Sequence, residues 1–408
     1  MNKLSYLEKL LDGVEVEWKT LEKVLKRTKG TKITAGQMKA LHKDNAPLKI
    51  FAGGKTVAFV DFKDIPEKDI NREPSIIVKS RGIIEFEYYD KPFSHKNEMW
   101  SYHSNNDAIS IKYIYYFLKI NEGYFQKIGG KMQMPQIATP DTDKFEVPIP
   151  CPDNPEKSLA IQSEIVRILD TFTALTAELT AELTMRKKQY NYYRDQLLSF
   201  DEGEVEWKTL GEIGTWHGGG TPSKSRSEFW EDGSIPWISP KDMGRPIVDT
   251  SEDYITEEAV EQSSTKLVPA NSIAIVVRSS ILDKVMPSAL IPVPATFNQD
   301  MKVVIPHCNI SPNYIAHIMR SRGDDILRAA KKSGGSVASI DSKKLFSFRI
   351  PVPHLNEQKR IVNILDKFDT LANSITEGLP REIELRQKQY EYYRDLLFSF
   401  PRPETASN

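Results

Sequence analysis

The chain has 408 residues, 55 of them basic and 56 acidic, for a net charge of -1. This length favours two or three domains, and the balanced charge excludes a nucleic-acid surface over the whole molecule, so any such surface is a local patch. Cys151 and Cys308 lie in different halves without metal-ligand spacing, which excludes a disulfide framework and a cysteine zinc site. With no signal peptide and no apolar run of membrane-spanning length, we expect a cytoplasmic protein.

An internal repeat organises the chain. Residues 15–21 and 204–210 share the heptapeptide EVEWKTL at all seven positions, and residues 186–200 match residues 386–400 at 11 of 15 positions. The segment at 5–13 echoes the end of each long repeat and leads into the first EVEWKTL. We therefore expect a circular, pseudo-two-fold arrangement in which the N-terminus supplies a helix end to the first globular domain.

Proline-rich segments mark the end of each globular region. VPIP at 147–150 and IPVP at 350–353 cannot lie inside helices, and the regions before them mix strand-like runs with Gly-Gly turns. The predicted fold is of the mixed α+β class, with two globular α/β domains separated by two long helices. The predicted boundaries are 1–13 for an N-terminal helix, 14–153 and 201–353 for the globular domains, and 154–200 and 354–408 for the long helices.

Apolar residues recur every three or four positions after each proline-rich segment. This spacing places one apolar seam along each helix and predicts that the two helices pair as an antiparallel coiled coil. Pro380, preceded by Gly378, predicts a kink or a restart of the second helix. The first seam comprises Ile165, Leu169, Phe172, Leu175, Leu179 and Leu183, and the second Ile361, Leu365, Phe368, Leu371, Ile375, Leu379 and Ile383.

The repeated helices, the TAELTAEL tandem at 176–183 and the segment LNEQKRIVNILDKFD at 355–369 resemble type I restriction-modification specificity subunits, in particular the IC-type family. The resemblance covers essentially the whole chain. It implies a non-catalytic subunit whose two target-recognition domains each read one half of a split DNA sequence. It also implies partners: two modification subunits that carry S-adenosylmethionine and methylate adenine, and restriction subunits that use ATP and Mg²⁺ to translocate and cut DNA.

The TAEL tandem is a candidate ruler for the gap between the two half-sites, because half-sites on duplex DNA have a set separation. One four-residue unit adds about 6 Å of helix. The alternative is that TAEL is simply a good helix-forming sequence in a seam. The residues that define the candidate ruler are Thr176, Leu179, Thr180 and Leu183.

Loop residues with basic or hydrogen-bonding side chains are candidates for DNA contact, because such groups recognise base edges and phosphates. For any one of them the alternative is a solvated side chain. Within this set, Lys331 is a candidate for phosphate contact and Arg278 for base recognition. In the first domain the candidates are Lys55, Arg72, Lys79, Arg81, His95, Lys96, Asn97, Lys131 and Gln133. In the second they are Thr221, Ser223, Lys224, Arg226, Lys241, Arg278, Ser279, Ser280, Asn298, Gln299, Lys302, Lys331, Lys332 and Ser333.

The ends of the repeated helices are rich in tyrosine and arginine, which suits partner docking. The alternative is that the same rings pack against the chain itself. The candidates for docking are Tyr190, Tyr193 and Arg194, with Tyr390, Tyr393 and Arg394 in the second repeat.

Enzyme motifs are not found in the sequence. Lys49 stands where a phosphate-binding loop ending in Gly54-Lys55-Thr56 needs its first glycine, and the seven histidines form no zinc motif. No amino-methyltransferase pattern is present either, so we predict no catalytic, cofactor or metal site in this chain. The alternatives to a specificity subunit are a coiled-coil scaffold and a stand-alone DNA-binding regulator.

Overall fold

The computed structural model describes residues 6–130, 133–334, 336–374 and 377–402. Its internal contacts divide the chain into two units. Unit 1 comprises Met1–Glu178 and Ile383–Asn408, and unit 2 comprises Leu179–Glu382. Each globular region is therefore grouped with a part of the central helix and a part of the C-terminal helices.

The globular part of unit 1 alternates short strands with short helices. Its helices are α1 (Tyr6–Leu11), α2 (Leu21–Val24), α3 (Ala35–Leu41), α4 (Ile111–Ile120), α5 (Glu122–Gly129) and α6 (Thr139–Asp143). Its strands are β1 (Val16–Thr20), β2 (Lys26–Lys29), β3 (Leu48–Phe51), β4 (Val57–Val60), β5 (Ser75–Lys79), β6 (Glu85–Tyr89), β7 (Phe93–His95), β8 (Trp100–His103) and β9 (Glu146–Pro150).

The EVEWKTL strand of unit 1 pairs with its proline-rich exit strand. β1 and β9 are antiparallel and set Trp18 opposite Pro148. The other strands form a four-stranded antiparallel sheet in the order β2-β8-β5-β6 and a three-stranded sheet in the order β4-β3-β7, where β3 and β7 are parallel. Every residue of the central strand β5 is buried, so both faces of the larger sheet are covered there.

A single helix, α7 (Pro155–Leu197), follows the exit strand and has 43 residues. The side chain of Asn154 accepts a hydrogen bond from the Lys157 amide at 3.0 Å, and Pro155 occupies the first helical position, where it costs no hydrogen bond. The predicted seam is confirmed along this helix, because its six apolar residues from Ile165 to Leu183 are all buried or half-buried.

Unit 2 repeats the order of the strands of unit 1, whereas the short helices before its four-stranded sheet is complete are placed differently. Its strands are β10 (Glu206–Thr209), β11 (Gly214–Gly218), β12 (Ile235–Ile238), β13 (Tyr254–Ile255), β14 (Ser272–Val276), β15 (Ser288–Ile291), β16 (Thr296–Phe297), β17 (Met301–Pro306) and β18 (Arg349–Val352). Its helices are α8 (Glu257–Gln262), α9 (Pro312–Ser321), α10 (Gly323–Ala330) and α11 (Ser342–Ser347). Two longer helices close the chain, α12 (Leu355–Asn373) and α13 (Gly378–Leu397).

Every strand of unit 1 has a counterpart nine strands later. β10 pairs with β18, the order β11-β17-β14-β15 repeats the four-stranded sheet, and β13-β12-β16 repeats the three-stranded one with its parallel pair. Trp207 faces Pro351 as Trp18 faces Pro148. The two globular regions therefore share one topology although, outside the repeated segments, little sequence similarity is visible between them, and the predicted mixed α+β class is confirmed.

The predicted circular organisation is visible in the core of unit 1. Leu7 and Leu11 of α1 lie in this core together with Leu397, Phe398 and Phe400 from the end of the chain. The indole Nε1 of Trp18 also donates to the Pro401 carbonyl at 2.9 Å. Both described ends of the chain therefore complete the first globular region. In unit 2 the corresponding positions are filled by the end of α7, whose Tyr190 and the following Leu198 are buried in the core.

Paired rings join α7 to the C-terminal helices within each unit. In unit 1 the Phe172 ring stacks on Tyr393 of α13 at 5.4 Å, and in unit 2 the Tyr193 ring stacks on Phe368 of α12 at 5.6 Å. In each unit, a segment of α7 therefore packs on a segment of the C-terminal helices.

The second long helix is interrupted, as Pro380 and Gly378 predict. α12 ends at Asn373 and α13 begins at Gly378, which has a left-handed φ of +75°. A Cβ at Gly378 would lie 2.5 Å from the Thr370 carbonyl oxygen, so only glycine fits this turn. The seam residue Ile375 lies outside the described residues.

Candidate nucleic-acid interface

Backbone hydrogen bonds join four segments of unit 2 that contain predicted DNA-contact residues into one loop array, made of residues 219–226, 277–280, 297–302 and, without residue 335, 331–340. The segments come from different parts of the sequence and meet beyond the ends of the four-stranded sheet. The joining bonds run from amide to carbonyl between Gly220 and Phe297 (2.8 Å), Arg278 and Asp300 (3.3 Å), and Ser279 and Ala338 (3.0 Å). Within the last segment, the Lys332 amide donates to the Ser339 carbonyl at 2.9 Å.

The basic side chains of the loop array differ in how far they are already paired. Lys331 Nζ lies 2.9 Å from a carboxylate oxygen of Asp283, and Lys302 Nζ lies 5.6 Å from the centre of the Phe346 ring. Arg278 is 63% exposed and reaches Asp300 only at 3.9 Å. Lys332 is exposed and forms no ion pair with the described residues. Arg278 and Lys332 are therefore the most available charges of the last three segments, and Lys224 is equally exposed in the first segment.

The polar candidates of the loop array are partly engaged in holding it together. The Thr221 hydroxyl donates to Gln299, and Asn298 is only 8% exposed and accepts the Asp300 amide at 2.9 Å. Ser279 accepts the Ile281 amide at 3.4 Å. Ser280 and Ser333 are exposed, as is Gln299. Ser280 and Ser333 can therefore face a ligand without breaking these bonds, whereas Gln299 is also the partner of Thr221.

Arg226 and Lys241 are committed to carboxylates of unit 2. The guanidinium of Arg226 contacts Glu228 at 2.7 Å and lies over the Phe229 ring at 3.8 Å. Lys241 lies 2.9 Å from both Glu252 and Asp253, and these hydrogen bonds raise its pKa above the ordinary value. Ser223 bonds to Ser225 at 2.8 Å, whereas Lys224 is exposed and unpaired among the described residues.

Two candidates of unit 1 lie inside the protein. Lys79 is 7% exposed and is held by Glu85 and Glu87 at 2.6 and 2.8 Å. Burial alone would lower its pKa, but the two carboxylates raise it above the ordinary value. His95 has no exposed surface, and burial lowers its pKa to about 4. These buried positions are unfavourable to the prediction that Lys79 and His95 contact DNA.

The other candidates of unit 1 lie at the surface in separate loops. Arg72 and Lys96 are paired with Glu67 at 2.7 Å and Glu98 at 2.6 Å, and Arg81 Nε donates to the Gln136 side chain at 3.2 Å. The structure does not gather these residues as it gathers those of unit 2. Lys131 lies outside the described residues. The remaining exposed candidates are Lys55 in the turn between β3 and β4, Asn97 and Gln133.

A basic groove of unit 1 was missed by the sequence-based prediction. It has a volume of about 1080 Å³ and includes only Asn97 from the predicted set. Its basic lining residues are exposed, and three of them form no ion pair within the described chain. Its acidic lining residues are Asp64 and Asp69. The basic residues are Arg27, Lys29, Lys32 and Lys68.

A second depression continues the basic surface along the chain. It has a volume of about 580 Å³, and Arg27, which lies 3.6 Å from Asp143, borders both depressions. The run of basic residues in KRTKGTK at 26–32 was the available signal, because β2 (Lys26–Lys29) exposes the first three of them. The basic residues that line the second depression are Lys19, Lys23, Lys26 and Arg27.

The helix-end tyrosines are placed alike in both repeats. Tyr190 is 8% exposed and packs on the core of unit 2, and Tyr390 packs half-buried on the core of unit 1. Arg194 and Arg394 lie 5.8 and 5.9 Å from these rings and pair with the next aspartate. Tyr193 and Tyr393 stack on the neighbouring helix, so the rings pack within the chain. The most exposed rings of these tyrosine-rich helix ends are Tyr192 (62%) and Tyr392 (65%).

The TAEL tandem lies in uninterrupted helix. Thr176, Leu179 and Leu183 are half-buried and Thr180 is exposed, so the tandem keeps one side on the seam. The Thr176 hydroxyl donates to the Phe172 carbonyl at 2.9 Å, a bond that threonine makes within a helix.

Within the described ranges, no group of three or more histidine, cysteine or acidic side chains is arranged to hold a metal ion. No helix in the described part of the chain is both long and apolar enough to cross a membrane.

Comparison with protein families gives a match over both halves of the chain. The model of the family described as "Type I restriction modification DNA specificity domain" matches residues 15–185 and 202–385. The chain is 64% identical over 413 residues to the type I restriction enzyme EcoR124I/EcoR124II specificity subunit of Escherichia coli, with 100% of both chains covered. It is 36% identical over 406 residues to the EcoprrI specificity subunit of Escherichia coli, covering 92% of this chain and 93% of the relative.

Solved structures resemble the fold over nearly the whole length. The S subunit of a type I restriction-modification system from M. genitalium superposes with a TM-score of 0.60 at 17% identity, covering 96% of this chain and 98% of the other. A chain from a structural study of type I system assembly and conformational transition gives 0.59 at 12% identity, covering 94% and 98%.

Proposed function

Because this chain belongs to the family of type I restriction-modification DNA specificity subunits, we propose that it reads a split DNA target, one half with each unit. It is a specificity subunit with two target-recognition domains, the non-catalytic part of such an enzyme.

The proposal rests on one observation: the two units share one strand topology but expose different surfaces. Unit 1 presents a basic groove lined by Arg27, Lys29 and Lys32, whereas unit 2 presents the loop array with Arg278 and Lys332. Sequence is read by side chains at base edges, so equal scaffolds with unequal surfaces suit two different half-sites.

We assign the spacing of the half-sites to α7. The four-residue units marked by Thr176, Leu179, Thr180 and Leu183 lie in unbroken helix between the two recognition domains. Each unit contributes about 6 Å of helix, to be compared with about 3.4 Å per base pair. Adding or removing one unit then changes the gap by one or two base pairs.

Partner subunits follow from membership of a restriction-modification complex, and we propose their identity and number. Two modification subunits would carry S-adenosylmethionine and methylate adenine, one docked at each repeated helix end. Restriction subunits with ATP and Mg²⁺ would join them in the cytoplasm to translocate and cut DNA. Two equal helix ends support a pair of equal partners. The docking residues would be Tyr190, Tyr193 and Arg194, with Tyr390, Tyr393 and Arg394.

A map of modified bases in genomic DNA tests the proposal. Cells express the cognate modification subunit with and without this chain, and the two maps are compared. We expect a split motif with methylated adenine in both halves only when the chain is present. If a complex forms but no new methylation appears, the chain is a scaffold. If the chain binds DNA tightly alone and recruits no modification subunit, it is a stand-alone regulator.

A further inference from the structure

Arg81 of unit 1 and Arg278 of unit 2 occupy the same place in the repeated fold. Each lies two residues after the central strand of its four-stranded sheet, β5 in one unit and β14 in the other. An isolated antiparallel bridge pairs Arg81 with Gln136, and another pairs Arg278 with Ser339. Both arginines therefore stand where the central strand meets the segment before α6 or α11.

The same pair of backbone hydrogen bonds holds each arginine from both sides. One bond reaches the carbonyl of the residue before the arginine, and the other leaves the amide of the residue after it. In unit 1 the bonds run from Ile137 to Ser80 (3.0 Å) and from Gly82 to Pro135 (2.9 Å). In unit 2 they run from Ile340 to Val277 (2.9 Å) and from Ser279 to Ala338 (3.0 Å).

The side chains around the two arginines differ. Ser80 and Gly82 flank Arg81, whereas Val277 and Ser279 flank Arg278, and the bridge partners are glutamine and serine. Both units have an arginine at this position although the neighbouring residues differ. Such an arginine is expected to contact a DNA feature that the two half-sites have in common. Different half-sites differ in their bases and share the phosphate backbone.

The guanidinium groups are suited to phosphate. Arg81 Nε donates to Gln136 at 3.2 Å, and Arg278 Nε lies 3.9 Å from Asp300. In both cases the terminal nitrogens have no hydrogen-bond partner in the described chain. An acidic residue lies near each arginine, Glu98 in unit 1 and Asp300 in unit 2. A guanidinium fork that is open at its two terminal nitrogens can bind two oxygens of one phosphate.

We infer that Arg81 and Arg278 are matched phosphate contacts that anchor the two units to the DNA backbone without reading bases. The inference rests on the proposed function. It assigns binding of the DNA backbone and recognition of bases to different residues. It differs from the sequence-based expectation that Arg278 recognises a base. Reading is then left to residues that differ between the units, such as Lys332 in one and Lys29 in the other.

The test uses the complete chain assembled with its modification subunits and the variants Arg81→Gln and Arg278→Gln. Affinity is measured for a duplex with the recognised motif and for an unrelated duplex of equal length, between about 50 and about 200 mM salt. Each variant should lose about tenfold or more in affinity for both duplexes and reduce the salt slope by about 0.9. The methylated motif should stay unchanged.

Control variants distinguish the effect of losing the arginine charge from the effect of losing the guanidinium geometry and from misfolding. Arg328→Gln removes an exposed charge from α10 of unit 2 and should change neither affinity nor slope. Arg81→Lys and Arg278→Lys retain the charge but lose the fork, so they should keep the salt slope and lose part of the affinity. Thermal unfolding of each variant checks its folding.

Two results would overturn the inference: methylation that relaxes at one base position in either glutamine variant, or binding by both glutamine variants equal to that of the wild type. Failure of the proposed function is a separate result, because the wild-type complex itself would then show no preference for the motif.

Discussion

The hydroxyl of Tyr113 donates a hydrogen bond to the carbonyl oxygen of Pro148 at 2.9 Å. Tyr314 makes the same bond to Pro351 in unit 2, at 3.1 Å. Both tyrosines are fully buried, and the bonds tie α4 and α9 to the exit strands β9 and β18. One structural link therefore recurs in two recognition domains whose surfaces differ.

Replacing Tyr113 or Tyr314 by phenylalanine should lower the free energy of unfolding of the affected unit by about 1–3 kcal/mol, because the buried carbonyl loses its donor. Tyr124→Phe is the control, since Tyr124 is 52% exposed. Urea unfolding followed by hydrogen exchange assigns the loss to one unit. Equal losses in the control and in the buried variants would contradict the role of these bonds.

Acid should destabilise unit 1 through His95. Its ring contacts the Lys96 carbonyl and the Ser101 hydroxyl, each at 3.2 Å, and burial lowers its pKa from 6.5 to about 4. Below pH 6.5, His95 is protonated in the unfolded chain but stays neutral in the folded chain. The free energy of unfolding is therefore highest above pH 6.5 and falls as the pH decreases toward 4. The total loss is about 3 kcal/mol, and about 2 kcal/mol of it arises by pH 5.

The free energy of unfolding at pH 7 and pH 5 measures this effect. His95→Gln should lose about 2 kcal/mol less than the wild type over this interval. His307→Gln, at an exposed position of unit 2, should follow the wild type. Parallel pH profiles for the wild type and His95→Gln would show that His95 is not the responsible group.

The basic groove of unit 1 should contribute phosphate contacts. Replacing both Lys29 and Lys32 by glutamine should weaken binding of the assembled complex to any duplex and reduce the salt slope by about 1.8. The matched control replaces Lys91 and Lys127, exposed lysines of the same unit that do not line the groove. Equal effects of the two double variants on affinity and salt slope would show that the groove does not contact the DNA backbone.

Deleting Thr180 to Leu183 should shorten the gap between the half-sites by one or two base pairs, because α7 loses about 6 Å of rise. Both half-sites should stay the same in the modified-base map. The control Ala181→Ser keeps the helix length and should keep the gap. A deletion variant that methylates the original motif with its original gap would refute the ruler.

Local periodicity and repetition made the framework predictable from the sequence. The seam from Ile165 to Leu183 follows from three- and four-residue spacing, and the interruption at Gly378 follows from a glycine and a proline in one turn. The circular closure follows from the short echo at 5–13. These features follow from local spacing or from repeated sequence, so no knowledge of the tertiary structure is needed.

The contacts of individual side chains were not predictable in the same way. Lys79 is buried because pairing between β5 and β6 sets it directly opposite Glu85, and Ser101 of β8 lies beside His95 of β7 although the two strands belong to different sheets. Each pair is only six residues apart, but these contacts depend on strand register and sheet assignment, which the residue types do not specify. The groove at Lys29 and Lys32 was missed because a charge run has the same sequence whether its surface is flat or concave.

The most direct measurement of the central claim is the methylation map of a chain in which residues 204–353 are replaced by a second copy of residues 15–150. The identical EVEWKTL segments and the paired exit strands provide matching junctions. If each unit reads one half-site, this chain should methylate a split motif with the first unit's half-site in both halves. A motif that still contains the original second half-site would contradict the account.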